Sequence, residues 1–196
     1  MKNTASFLLL FVVCSCSNSD GNSTKPPFFN LKTGNLWIYK KYTAADGVHF
    51  VYDNEIDSVR VIGDSLVNGY IFSKISHKET NGEQYLDLLR VDNNGHLINE
   101  SGFVKHPGYD ATYQYVQTIF SGTISYHLLG SQNVTVENQY YNVSPYIGDF
   151  VSQLPEFANH QLKYWYEPNN GLVLKFKSYY PKGADIEYRL VSSDLN

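Results

Sequence analysis

From Leu36 onward, apolar and polar residues alternate in short runs separated by turn-forming dipeptides. A period of two places successive side chains on opposite faces of a strand. Leu162, Tyr164 and Tyr166 share a parity. So do Ile186, Tyr188 and Leu190, with Glu187 and Arg189 opposite them. Leu172, Leu174 and Phe176 fall on one face and Lys175 and Lys177 on the other, the pattern of a half-buried strand. Phe120, Ile124, Tyr126 and Leu128 alternate with Ser121, Thr123, Ser125 and His127. Further strands are predicted near Leu36–Tyr42, Ile56–Ile62, Tyr70–Ser76, Tyr85–Val91 and Val134–Tyr140.

Four Asn-Gly pairs punctuate this pattern: Asn68-Gly69, Asn81-Gly82, Asn94-Gly95 and Asn170-Gly171. Asn-Gly favours the positive-φ turns that join twisted antiparallel strands. The first three pairs stand 13 residues apart, room for one strand and its turn. Helical periodicity is nearly absent. Asp149 to Asn159 could hold one short helical turn, limited by Pro155. Strands without intervening helices pair antiparallel. The predicted fold is therefore all-β, an antiparallel meander forming a half-open or closed small barrel, with a two-sheet sandwich as the alternative.

The first residues follow a different rule. Met1-Lys2 gives a basic start, Phe7 to Val13 is an unbroken apolar run, and Cys14-Ser15-Cys16 leads into the polar stretch SNSDGNSTKPP. The apolar run falls short of the roughly 20 residues that span a bilayer, and it suits a secretory signal. Small Ser15 precedes Cys16, whereas bulky Val13 precedes Cys14. The segment resembles the signal peptide and lipobox of bacterial lipoproteins. The resemblance implies cleavage before Cys16, residues 1–15 as signal peptide, and palmitate-type acylation of Cys16. Two or more chains at about 0.8 kcal/mol per buried CH₂ anchor stably. Residues 16–27 read as the lipidated cysteine and a flexible tether, and 28–196 as a single domain. No cysteine follows Cys16, so the domain carries no disulfide. Ser17 stands where an aspartate would favour the inner membrane. Only Asp20 is acidic nearby, so the periplasmic face of the outer membrane is expected in preference to the cell surface.

Several pieces of the domain recur in order: Thr33–Tyr39 (TGNLWIY), Ile62–Tyr70 (IGDSLVNGY), Leu89–Gly95 (LRVDNNG) and Tyr166–Val173 (YEPNNGLV). Together they resemble a family of Bacteroidota outer-membrane or periplasmic lipoproteins that has no assigned catalytic residues. The YEPNNGLV piece also resembles the closing hairpin of half-barrel lipoprotein carriers.

The formal net charge is -4, one unit more negative once Lys2 is lost, which argues against nucleic acid as a partner. The six histidines, His49, His77, His96, His106, His127 and His160, show no metal-ligand spacing and read as exposed or turn residues. Asp57, Asp87, Asp149 and Glu156 are scattered along the chain. No nucleophile elbow, phosphate-binding loop or His-Glu-x-x-His occurs. The sequence thus points to no catalytic residue, no metal and no cofactor, and to a non-enzymatic protein of binding or envelope assembly. An uncharacterised hydrolase is the enzymatic alternative.

What stands out is aromatic content, with 17 Tyr, 11 Phe and 2 Trp. Clusters fall at Tyr109-Tyr113-Tyr115, Tyr140-Tyr141-Tyr146, Tyr164-Trp165-Tyr166 and Tyr179-Tyr180. Tyrosine is a good strand residue, and exposed aromatics also stack on sugars or apolar ligands. Trp165, Tyr109, Tyr113 and Tyr115 are the candidate ligand-binding aromatics, the last three on a predicted long loop, Gly102 to Tyr115. The expected partners are the lipid bilayer, through acylated Cys16, together with an apolar ligand in a half-barrel cavity, a glycan or an envelope protein.

Overall fold

In the computed structural model, residues 27–155, 158–177 and 184–196 are described. They form thirteen strands: β1 (Leu36–Ala44), β2 (Val51–Val67), β3 (Tyr70–Glu79), β4 (Gln84–Val91), β5 (Leu97–Asn99), β6 (Val104–His106), β7 (Gln114–Ile119), β8 (Gly122–Leu128), β9 (Gln132–Val136), β10 (Gln139–Ser152), β11 (His160–Glu167), β12 (Gly171–Lys177) and β13 (Asp185–Asp194). The four Asn-Gly pairs sit at the turns β2–β3, β3–β4, β4–β5 and β11–β12. Asn68 and Gly69 both take positive φ, 50° and 82°, the mirror-image turn that matches strand twist.

All pairings are antiparallel, in the order β6-β5-β4-β3-β2-β1-β13-β12-β11-β10-β8-β7, with β9 on β10. The first and last strands therefore meet in the middle of the sheet. One wing runs out from β2 to β6, and the other returns from β13 to β7. The outermost strands β6 and β7 are consecutive in the chain, joined by residues 107–113 alone. Seven residues span at most about 25 Å, so the sheet must curl until its edges meet.

Side chains close the seam where no hydrogen-bond ladder does. His106 on β6 donates from Nε2 to the Ser144 carbonyl of β10 at 3.0 Å. Phe103 meets Tyr126 of β8 and Tyr115 of β7 edge-on, at 5.5 and 5.8 Å. The expected meander is present in its half-open form, as one curled sheet and neither a closed barrel nor a two-sheet sandwich.

Four local expectations are corrected. Val134–Tyr140 is a hairpin, because Glu137 and Asn138 turn the chain with φ of 48° and 65°. Phe120 is a hairpin tip, 93% exposed, and leaves the face of Ile124 and Tyr126. Asp149–Ser152 finishes a 14-residue strand paired with β8 and β11 and forms no helix. Gly102–Tyr115 is no simple loop, since it contains β6, the start of β7 and the crossover that brings the sheet edges together. The signal peptide, Cys16, the tether up to residue 26, Glu156 and Tyr179-Tyr180 lie outside the described residues.

The β9–β10 hairpin explains a fifth departure. Glu137 at its tip bonds Lys40 (3.0 Å) and Tyr42 (2.6 Å) and lies 3.9 Å from Arg189. These side chains stand on the convex face of β1 and β13, opposite Tyr39 and Tyr188. Val136, Tyr141 and Val143 of the hairpin share a cluster with Trp165 and Leu174. The convex face of β11 and β12 is therefore covered by apolar side chains. Lys175 and Lys177 turn inward to the concave side, and the β-bulge at Val173 puts Leu172 on that side with them, so Leu172 does not share the face of Leu174 and Phe176 as predicted.

Candidate functional site

The concave side of the curled sheet encloses a half-open cavity of about 320 Å³, at the small end of the range for small-molecule sites. Its walls sort along the strands. Toward the β2–β3 and β11–β12 turns, the lining residues are Trp37, Val59, Ile75, Leu89, Tyr166 and Leu172. Phe28 and Phe29, buried against Leu97 and Tyr166, close this end, and the Phe28 carbonyl accepts the Asn169 N–H at 3.0 Å. Trp37 Nε1 donates to the Asn170 carbonyl (2.6 Å) and the Tyr39 hydroxyl to that of Leu172 (2.8 Å), locking β1 to the β11–β12 turn.

Two residues further along β2, β3 and β4 the lining becomes polar. Asp57 replaces Val59, His77 replaces Ile75, and Asp87 replaces Leu89, all on the same face by register. His77 Nδ1 lies 3.0 Å from Asp57 and Nε2 3.5 Å from Asp87. Tyr85 stacks on its ring at 4.2 Å. Burial pushes the His77 pKa down, but the two carboxylates outweigh it and raise it above the ordinary value, so imidazolium is favoured. Asp87 is correspondingly lowered by its bond to His77.

Lys175 and Lys177 of β12 and Lys105 of β6 face this cluster across the cavity. Lys175 sits opposite Tyr188 in the sheet, its Nζ 5.4 Å from the ring centre. Burial lowers its pKa to about 7, with neighbouring Lys177 and Lys105 adding to the effect and Asp87 opposing it. Among the described residues none of the three lysines is in an ion pair. Two other polar atoms are buried without a hydrogen-bond partner and belong to cavity-lining residues: Asp57 Oδ1 and the Tyr146 hydroxyl.

The predicted aromatics lie around this cavity rather than in it. Tyr164 and Tyr166 line it, so Trp165 points to the convex side and packs beside the β9–β10 hairpin. Tyr109 is 44% exposed, its ring 4.9 Å from Phe28. Tyr113 packs on His96 and Tyr146, and Tyr115 stacks beside Tyr126 at the seam. The expectation of exposed or turn histidines is corrected for three of them. His106 is fully buried, His96 is 6% exposed, and His77 is held within the cavity wall. Burial lowers His106 to about 4, so it is neutral, with Nδ1 accepting the Gly108 N–H at 3.0 Å. Sequence reasoning missed the Asp57–His77–Asp87 cluster and the inward lysines. Only the adjacency of β2, β3 and β4, with Asp57 and Asp87 on flanking strands, could have pointed to the first.

No family model and no curated protein matches the chain. Two crystal structures share its fold. One is a presumed exported protein with a YmcC-like fold from Bacteroides fragilis, with a TM-score of 0.52 and 14% identity, covering 87% of this chain and 100% of that one. The other is a presumed lipoprotein from Parabacteroides distasonis, with a TM-score of 0.52 and 13% identity, covering 86% of this chain and 99% of that one.

Proposed function

We propose that this chain is an exported, non-enzymatic binding protein, lipid-anchored through Cys16 at the periplasmic face of the outer membrane, that holds a small, largely apolar ligand inside its curled sheet. The cavity carries this reading. It has one aromatic and aliphatic end, and two lining residues, Asp57 and Tyr146, each bury a polar atom with no partner. Buried polar groups without partners cost about 1–3 kcal/mol each, a cost that a ligand acceptor would relieve at the Tyr146 hydroxyl. The lipobox supplies the anchor, and the described relatives in fold are themselves presumed exported or lipoproteins.

The test is made on the chain expressed with its own leader. The neutral fluorophore N-phenyl-1-naphthylamine should bind saturably at one site. Ile75→Trp or Leu89→Trp, which fill the apolar end, should abolish that binding while strand content by circular dichroism is kept. Absence of saturable binding by the wild type would refute the cavity reading. Separately, Cys16→Ala should abolish incorporation of labelled palmitate. Continued labelling would refute the anchor.

A further inference from the structure

The cavity is amphiphilic along its axis, and its polar end has more cationic than anionic side chains. Lys105, Lys175 and Lys177 line it against only two carboxylates, Asp57 and Asp87, and those two already embrace His77. Three lysines brought together with no ion pair among the described residues repel one another, and partial burial strengthens that repulsion. A cation cluster that folding does not neutralise is an anion site in want of its anion.

Resting on the ligand-binding reading above, we infer that the bound ligand is a single-headed anionic amphiphile, its carboxylate or phosphate held by Lys105, Lys175 and Lys177 and its apolar body lying along Trp37, Ile75 and Leu89. The direction follows from the lining: Phe28 and Phe29 pack with Leu97 and Tyr166 at the apolar end, and the lysines stand at the polar end. Tyr188 supports the head site, its ring lying beneath both Lys175 and Lys177 at 5.4 and 5.8 Å. Burial, with Lys177 and Lys105 beside it, lowers the Lys175 pKa to about 7, and a bound anion would raise it.

The experiment displaces N-phenyl-1-naphthylamine from the full chain with dodecanoate, dodecyl phosphate or the neutral dodecanol. Each anion should compete at least about tenfold better than dodecanol, the worth of one charge-assisted hydrogen bond. A stronger effect for dodecyl phosphate would assign the head to phosphate, and a stronger one for dodecanoate to carboxylate. Lys175→Met/Lys177→Met should erase the anion preference while fluorophore and dodecanol binding persist. Lys177→Gln alone should reduce the preference, which keeps the test open if the double variant fails to fold. Equal competition by the three ligands, or a preference unchanged in the lysine variants, would overturn the headgroup assignment with the cavity reading intact. Loss of fluorophore binding in the wild type would instead remove the reading beneath it.

Discussion

The seam between the sheet's two edges should come under strain when His106 acquires charge. His106 is fully buried among Phe28, Phe29, Tyr146 and Tyr166. Its two nitrogens are committed, one donating to Ser144 of β10 and one accepting from Gly108. Protonation would cost both the burial of a cation and the Gly108 bond. Its pKa is about 4 when folded and about 6.5 when unfolded. The unfolded chain therefore binds the extra proton first, and stability falls as pH drops from 6.5 toward 4. Linkage between pH 7.5 and pH 5 puts the loss at about 2 kcal/mol. His77, raised on folding, works in the opposite sense and in a higher window: its contribution is present below pH 6.5 and is lost as pH rises through the folded value. The lowered carboxylates Asp87, Asp110 and Glu137 act below this window.

The assay is urea unfolding of wild type and His106→Phe across this pH range. Phenylalanine keeps the aromatic packing but leaves the Ser144 carbonyl and the Gly108 N–H unpaired. The variant should be less stable at pH 7.5 by about 1–3 kcal/mol. Because it retains every other titrating group, the gap between the two proteins should narrow by about 2 kcal/mol at pH 5. A gap that does not change with pH would refute the reasoning.

Tyr146→Phe should leave stability unchanged or raise it by about 1 kcal/mol in urea, since it deletes a buried hydroxyl that has no partner in the free protein. Gly108→Ala should destabilise by about 1–3 kcal/mol in the same assay. A Cβ there would lie 2.5 Å from the Gly95 carbonyl oxygen, at a φ of 62° that alanine adopts poorly. Lys175 should titrate near 7 by NMR in the free protein. Burial sets this value first, Lys177 and Lys105 lower it further and Asp87 opposes them, with Tyr188 and Tyr164 beside it in the sheet. Lys177→Met should move the midpoint upward by removing the nearest like charge, and a downward shift would contradict the geometry.

The turns were legible because their chemistry is local. Asn-Gly favours positive φ at a tight turn: the glycine of each of the four pairs takes it here, and at Asn68-Gly69 the asparagine does too. The same logic placed β1, β3 and β4 within a few residues of their ends. The failures came where a distant segment decides the environment. Lys175 and Lys177 read as the solvent side of a strand because nothing near them in sequence reveals the β9–β10 hairpin on the opposite face. Trp165 looked free for the same reason, and its partners Val136, Tyr141 and Val143 lie more than 20 residues away. His106 looked like a turn residue, yet its imidazole fastens β6 to β10 across 38 residues of chain.

Sequence alone determined the strand class and the hairpin turns at the Asn-Gly pairs, since each depends on conformational preferences confined to a few neighbouring residues. Only the tertiary structure decided which face is concave. That choice follows from strand order: β1 pairs with β13, and β6 leads directly into β7, so the sheet must curl and its edges must meet. The curl brings Asp57, His77 and Asp87 together from three strands and sets Lys105, Lys175 and Lys177 across from them. Charges brought close by folding acquire interactions and desolvation that no linear spacing encodes.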